Sequence, residues 1–245
     1  MKKIYSWVII LTFFISCTSD STLTSSDTIP NAITTMPLHQ ENRTGDAIPF
    51  NTDNIYDVAG KIHNELFESY YGYGTLPTTV AGIAVRVDSI ASFNSNFIRI
   101  KRINYIPVSI GRVDYLLTNK TTCVSTVIAG SNLSVKGKLS LENFINSLLL
   151  LFDGASSCTT LYDFIVDYET SVISDPLLTV KDKKIILITT SISRHSTYMA
   201  KKRPKKNTDP DWTVLICNIA GGTDRADFGI DEALMQAFIA GVAQN

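Results

Sequence analysis

The chain has 245 residues, with 22 basic and 23 acidic side chains and 44% hydrophobic residues, a composition that suits one globular domain. This balance of charge argues against a nucleic-acid partner, and we expect none. The sequence also lacks a Walker A loop and the G-x-G-x-x-G, G-x-S-x-G and H-E-x-x-H motifs, so the standard signatures of nucleotide-binding proteins, serine hydrolases and zinc proteases are missing.

The N terminus is typical of an exported protein. Two lysines precede an apolar run from Trp7 to Ile15 that is too short to span a bilayer, and a small residue and Cys17 follow. The closing F-I-S-C sequence resembles a bacterial lipobox. The resemblance implies that residues 1–16 are a cleaved signal peptide and that acyl chains on Cys17 anchor the protein to the lipid bilayer. An ordinary secretory signal is the alternative.

Residues 17–51 are predicted to form a disordered tether. They are rich in Ser, Thr, Asp, Asn and Pro, and such a segment cannot bury enough apolar surface to fold. Thr18, and not an aspartate, follows the lipidated cysteine. By resemblance to bacterial sorting signals, this implies the outer membrane, at either its periplasmic face or the cell surface. The folded domain is then expected over residues 52–245.

Apolar residues recur at helical spacing through this domain and predict a mainly α fold with about six to eight helices. Asp53 or Asn54 is expected to cap the first helix, and Gly72 to end it. Thr179 and Asp182 have the spacing of a capping box at the start of the longest helix. The predicted helices cover residues 54–71, 77–94, 110–117, 141–152, 161–172, 180–202 and 230–242.

Three stretches have a less regular pattern. Residues 83–87 also alternate as a strand would, although they lie in a predicted helix. Residues 123–129 fit either a helix or a strand. Residues 212–219 form a short apolar segment, which Gly221 and Gly222 are expected to end.

Two motifs resemble a known group of proteins. An N-x-Y-D-x-x-G-x-x-H-N motif covers residues 54–64, and an S-I-S-R-H-S motif covers residues 191–196. In this order they resemble features of a family of uncharacterised Bacteroidota lipoproteins. That family usually has Pro where Ile55 stands and Tyr where His195 stands. No activity is established for the family, so the resemblance implies an envelope lipoprotein without assigning catalytic residues.

His63 and His195 are the histidines of the predicted domain that could do chemistry. Asp57 could orient His63 as a general base, but the two residues are six apart and fall on different faces of a helix. A partly buried His63 that donates to the backbone of a neighbouring helix is the competing interpretation. His195 faces inward with Ile192 and Met199, which indicates a core histidine whose hydrogen bonds are satisfied.

Two cationic features could bind partners. Arg194 shares a helix face with Ser191 and Tyr198, where it either binds an anion or pairs with a carboxylate of another helix; the second is favoured. The basic run of residues 201–206 is interpreted as a solvated helix end. Its functional alternative is contact with anionic lipopolysaccharide or glycan.

No metal or other cofactor is expected, because histidine is scarce and no cysteine spacing fits a zinc site. The three cysteines after the tether are either free buried thiols or include one disulfide pair; they are Cys123, Cys158 and Cys217.

These features favour a membrane-anchored envelope lipoprotein with a binding or structural role. The helical domain would then bind an envelope protein or a glycan. The alternative is an envelope hydrolase that uses His63 or His195 with a nearby carboxylate or with Ser196.

Overall fold

Ten α-helices and no strand form the part of the chain that the structure, a computed structural model, describes: residues 49–72, 74–154, 156–200 and 211–245. In chain order the helices are α1 (Val58–Gly72), α2 (Val80–Phe93), α3 (Ser95–Ile100), α4 (Ile110–Thr118), α5 (Cys123–Gly130), α6 (Val135–Asp153), α7 (Cys158–Ser174), α8 (Val180–Ala200), α9 (Asp211–Arg225) and α10 (Ile230–Gln244). The fold is mainly helical, as predicted. None of these helices combines the length and the apolar character needed to cross a membrane.

Several predicted features lie outside the described residues. These are the signal peptide, Cys17, the tether as far as residue 48 and the basic run of residues 201–206. Pro49 and Asn51, which end the predicted tether, are buried against the domain. The packed chain therefore includes residues on the N-terminal side of the first predicted helix.

The helix count exceeds the predicted range of about six to eight because short helices form where periodicity is weak. Asn94 ends α2 and begins α3, and its side chain accepts a hydrogen bond from the backbone N–H of Phe97 at 2.7 Å. Both ambiguous stretches, residues 83–87 and 123–129, are helical and lie in α2 and α5. Burial follows helical spacing: Ile83 and Val87 pack into the core, whereas Val85 is 72% exposed. The burial of one helix face outweighs the intrinsic preference of these residues for strands.

Helix α8 is the central helix of the domain. It packs against α1, α6, α7, α9 and α10. Every residue from Ile185 to Thr197 is buried, although residues 189–197 are all polar except Ile192. Buried polar groups have to find hydrogen-bond partners inside the protein, either on their own helix or on its neighbours. Ser193, for example, donates to the carbonyl of Thr189 within α8 at 2.7 Å.

Helices α9 and α10 form a close antiparallel pair. Gly221 lies so near Ala237 that a Cβ on the glycine would be 2.8 Å from the Cα of Ala237. Gly241 of α10 makes room for the side-chain amide of Asn218 on α9. The predicted break at Gly221 and Gly222 was wrong, since α9 continues through both. Packing against α10 outweighs the penalty of about 1 kcal/mol for each glycine in a helix.

One carboxylate joins the N-terminal ends of α6 and α8. Asp182 Oδ1 accepts from the backbone N–H of Ser134 at 2.7 Å, and Oδ2 accepts from both the hydroxyl and the N–H of Thr179 at 2.8 and 2.9 Å. Thr179 Oγ1 accepts in return from the N–H of Asp182 at 3.0 Å, which confirms the predicted capping box. Burial alone would raise the pKa of Asp182, but these hydrogen bonds lower it below its ordinary value.

Candidate functional site

A buried charged cluster connects α7 and α8 with the chain that leads into α1. Arg194 of α8 is 1% exposed. Its Nη2 donates to Asp57 Oδ1 at 2.6 Å and to Glu169 Oε1 at 3.2 Å, and its Nη1 donates to the carbonyl of Pro49. Arg194 thus pairs with carboxylates from other parts of the chain. Of the two interpretations given for it from the sequence, pairing with a carboxylate was the favoured one.

Glu169 of α7 is the member of the cluster that sequence reasoning missed. It is fully buried, and its Oε1 accepts from Asn54 and Thr190, each at 2.8 Å, in addition to Arg194. Its Oε2 accepts from Asn51 at 2.6 Å. Four donors therefore surround the carboxylate, three of them on Oε1 and one on Oε2. Glu169 lies one helical turn after Ile165, on the buried face of α7. This spacing could have identified it from the sequence.

His195 lies beside Asp57 but is not hydrogen-bonded to it. Its Nε2 is 3.6 Å from Asp57 Oδ1, beyond hydrogen-bond range, and neither ring nitrogen has a partner among the described residues. The prediction of a buried histidine is confirmed, but its hydrogen bonds are not satisfied as expected. Burial lowers the pKa of His195, and the nearby carboxylate of Asp57 opposes that shift.

The pKa of Asp57 reflects its charged neighbours. Burial would raise it, but the adjacent His195 and Arg194 hold it below its ordinary value. Asp57 is therefore ionised at neutral pH and balances part of the charge of Arg194. Because Arg194 takes the same carboxylate oxygen that faces His195, this oxygen is already engaged.

His63 lies on α1 away from this cluster. It is 2% exposed, and its Nε2 is 3.4 Å from Asn218 Oδ1 on α9, while its ring packs edge-on against Phe238. The expected partial burial and backbone contact were wrong, since the ring is fully buried and faces a side-chain amide. No hydrogen bond or ion pair joins His63 to Asp57 in the described structure. Burial lowers the pKa of His63 to about 4, so the ring is neutral at pH 7.

Gly60 brings α1 close enough to α8 to form the cluster. A Cβ on this residue would overlap the backbone oxygen of Ser191 and the ring of His195. The backbone N–H of Gly60 donates to Ser191 Oγ at 2.9 Å, and that hydroxyl donates to the carbonyl of Asp57 at 3.0 Å. The two motifs noted in the sequence therefore meet in one helix crossing.

Little free space remains beside the cluster. A cavity of ≈ 20 Å³ lies next to Arg194 and is also lined by Pro49, Cys158, Tyr162 and Tyr198. A water molecule needs roughly 10–15 Å³ of such space, so the cavity holds about one water and no organic substrate. The arrangement can fix the chain before α1 to the central helix, but it offers no room for a reaction.

The cysteines are free thiols, one of the two alternatives left by the sequence. Cys123 and Cys217 are buried, and Cys158 is partly exposed. Burial raises the pKa of Cys217 to about 12 and also raises that of Cys123. Within the described ranges, no group of three or more His, Cys, Asp or Glu side chains could hold a metal ion.

No family model, curated protein or solved structure matches this chain. Any inference about its function therefore rests on the N-terminal sequence and on the chemistry of the described side chains.

Proposed function

We propose that this protein is a lipid-anchored envelope protein with a binding or structural role, and that its domain is not catalytic. The closed charged cluster is the observation that supports a non-catalytic domain. Arg194 is paired with two carboxylates, and only ≈ 20 Å³ is free beside it. The lipobox that ends at Cys17 supports the first part.

In this proposal the charged cluster attaches the tether to the domain. Residues 49–57 include the end of the predicted tether and lead into α1, and several of them contribute to the cluster. Asn51 and Asn54 donate to Glu169, and the carbonyl of Pro49 accepts from Arg194. The chain that leads back to Cys17 is thus held by charge-assisted hydrogen bonds, roughly twice as strong as neutral ones. Such an attachment suits a domain that binds a partner while anchored.

A hydrolase is the alternative, and the approach of His195 to Asp57 is the observation in its favour. Ser196 follows directly, and its hydroxyl has no partner among the described residues. A nucleophile and its base need hydrogen-bond contact and access to substrate. His195 and Ser196 are 1% and 6% exposed, and the adjacent free space is too small for a substrate. These facts support the non-catalytic proposal over this alternative.

The test of anchoring is to express the full chain with Cys17→Ser and follow it by detergent-phase partitioning and intact mass. The wild-type protein is expected in the detergent phase with the added mass of its acyl chains. The variant should be released or remain an unprocessed precursor. Cys158→Ser is the matched control and should behave as the wild type. Unchanged membrane attachment of Cys17→Ser would contradict the proposal.

The test of catalysis is a screen of the intact protein against ester, amide, glycoside and phosphoester substrates. We expect no turnover that depends on the candidate residues. A hydrolytic activity that disappears in both His195→Gln and Asp57→Asn, while the variants remain folded by circular dichroism, would establish the alternative.

A further inference from the structure

A second cavity, of ≈ 200 Å³, lies where α4, α5, α8 and α9 meet. It shares no lining residue with the cavity beside Arg194. The side chains that matter for its chemistry are Arg112, Asn132, Thr223, Asp224, Asp227 and Phe228. We call it the Asp227 pocket.

The cationic group of the Asp227 pocket is already neutralised. Arg112 donates twice to Asp224, from Nε at 3.0 Å and from Nη2 at 2.5 Å. Gln236 donates to the same carboxylate at 2.7 Å. This bidentate pair fixes both side chains and neutralises Arg112. Lys184 also lies here, and its Nζ donates to the backbone carbonyl of Asp227 at 2.8 Å. Because both cations already have acceptors, they are poorly placed to bind phosphate or an acidic ligand.

Asp227 supplies hydrogen-bond acceptors that are only partly used. Its Oδ2 accepts from Asn132 Nδ2 at 2.6 Å, and its Oδ1 is 3.7 Å from Lys181 Nζ. A carboxylate has about four acceptor sites, so Asp227 can still accept from a ligand. Its charge is balanced by Lys181, and its neighbours hold it in place before any ligand arrives. This balance also makes it a weak site for a bare cation.

An aromatic surface borders these polar groups. Phe228, a large apolar side chain, is 51% exposed. Arg225 lies over its ring, with its guanidinium carbon 5.1 Å from the ring centre. The pocket therefore combines planar hydrogen-bonding groups with an exposed aromatic ring.

We propose that the Asp227 pocket binds one neutral sugar ring of a glycan. The hydroxyl groups of a sugar both donate and accept, as the carboxylate of Asp227 and the amide of Asn132 require, and its C–H face can pack on Phe228. The volume is below the roughly 300–1,000 Å³ of sites for drug-sized ligands, so it suits a single ring. This inference rests on the proposed binding role and names its ligand class.

The test is saturation-transfer NMR and calorimetry with the intact acylated protein in a detergent without a sugar headgroup. The probes are neutral hexoses and N-acetylhexosamines, with inorganic phosphate and Ca²⁺ as competitors. At least one sugar is expected to bind, with transfer to its ring C–H protons. Asp227→Ala and Phe228→Ala should each weaken binding by about tenfold or more, as expected when one good contact is lost.

Matched controls exist elsewhere on the described surface. Phe93 is 82% exposed in α2, and Asp167 is exposed in α7, so Phe93→Ala and Asp167→Ala should leave affinity within about twofold. Phe228→Ala removes an exposed side chain, and the variant should stay folded even if Asp227→Ala does not.

Three results would overturn the inference: no binding of any neutral sugar, binding that survives both pocket variants, or displacement of the sugar by phosphate or Ca²⁺ at this site. A protein that requires Cys17 for membrane attachment but binds no sugar would refute only the sugar site. A protein that binds sugar but stays unattached to the membrane would refute only the anchoring proposal.

Discussion

At the scale of single residues, the charged cluster stabilises the fold only as a complete set. Arg194 and Glu169 are both fully buried, and taking charges out of water is costly unless each finds its partners. Replacing a whole buried ion pair with apolar residues is often neutral. Removing one partner is different, because the other charge stays buried without compensation.

Glu169→Ala is therefore expected to destabilise the domain by roughly 3–5 kcal/mol. It leaves Arg194 with one carboxylate and removes one hydrogen-bond acceptor from each of Asn51 and Asn54. Urea unfolding followed by circular dichroism measures the loss. Glu68→Ala, at an exposed position of α1, is the matched control and should change stability by about 0.5 kcal/mol or less. Similar midpoints for the two variants would show that the cluster contributes little.

A neutral buried histidine makes stability depend on pH. The pKa of His63 is about 4 in the folded protein, against 6.5 for an ordinary histidine. Between these values the unfolded chain binds a proton that the folded chain excludes, so the free energy of unfolding falls as pH drops from 6.5 towards 4. The loss is on the order of 3 kcal/mol. His195, whose pKa is also lowered, acts in the same direction, whereas Asp57 loses its contribution only at more acidic pH.

Urea unfolding at a series of pH values tests this expectation. His63→Gln should reduce the slope of stability against pH between 6.5 and 4, without abolishing it, because His195 remains. His39→Gln, in the predicted tether, is the control and should keep the wild-type slope. If His63→Gln also keeps that slope, the ring does not stay neutral on folding.

The sequence could predict parts of this site and not the whole. Helical spacing indicated that Arg194 would meet a carboxylate, but not that Asp57 and Glu169 would provide it. Periodicity tells which face of a helix is buried and leaves open which helix lies opposite. For the same reason it could not bring His195 beside Asp57, since Asp57 lies in the turn before α1 and His195 in α8, far apart in the chain.

At the scale of helices, the crossing of α1 and α8 depends on one glycine, which has no side chain to keep the backbones apart. Gly60 lets the two backbones approach, and Ser191 then bonds to both Gly60 and Asp57. The close crossing gives the buried hydroxyl of Ser191 two backbone partners, whereas Ser193 and Thr197 donate to carbonyls of α8 itself.

Gly60→Ala should destabilise the domain by about 1–3 kcal/mol, the usual cost of overpacking a core. The added methyl group would displace a backbone oxygen of α8, which cannot rotate away as a side chain can. Thermal and chemical unfolding measure the change. Gly111→Ala is the control, because nothing lies within 4 Å of its added Cβ, and alanine favours the helix. Equal or higher stability of Gly60→Ala would show that the crossing is looser than described.

The helices themselves were predicted with uneven success. The start of α8 was correct, because Thr179 and Asp182 form a local capping box whose residues are neighbours in sequence. Helix α9 was not predicted: residues 212–219 were interpreted only as a short apolar segment that Gly221 and Gly222 would end. Local propensity places a break there, whereas α10 supplies the packing that keeps the helix intact. Local signals are readable from the sequence, and contacts between distant helices are not.

At the scale of the whole molecule, the cysteines report on global unfolding. Cys123 and Cys217 are each fully buried, and burial raises the pKa of both thiols. Cys158 is partly exposed at the start of α7. Reaction with thiol reagents requires the thiolate and access, so the two buried residues can react only when the core opens.

We therefore expect one of these three thiols to react rapidly with an aromatic disulfide reagent in native buffer, and the other two only in denaturant. Cys158→Ser should remove the fast phase and leave the slow one unchanged. Rapid reaction of all three in native buffer would mean that the core around α5 and α9 opens readily.

The long reach of the α1–α8 contacts also sets an order of events during synthesis. Gly60 bonds to Ser191, 131 residues later, and Asp57 pairs with Arg194, 137 residues later. At roughly 5–20 residues per second, the ribosome makes α8 about 7–26 s after α1. Until then Asp57 lacks Arg194, its ion-pair partner. Folding should thus be slower than in helical bundles whose contacts are local, since the first helix waits for one of the last.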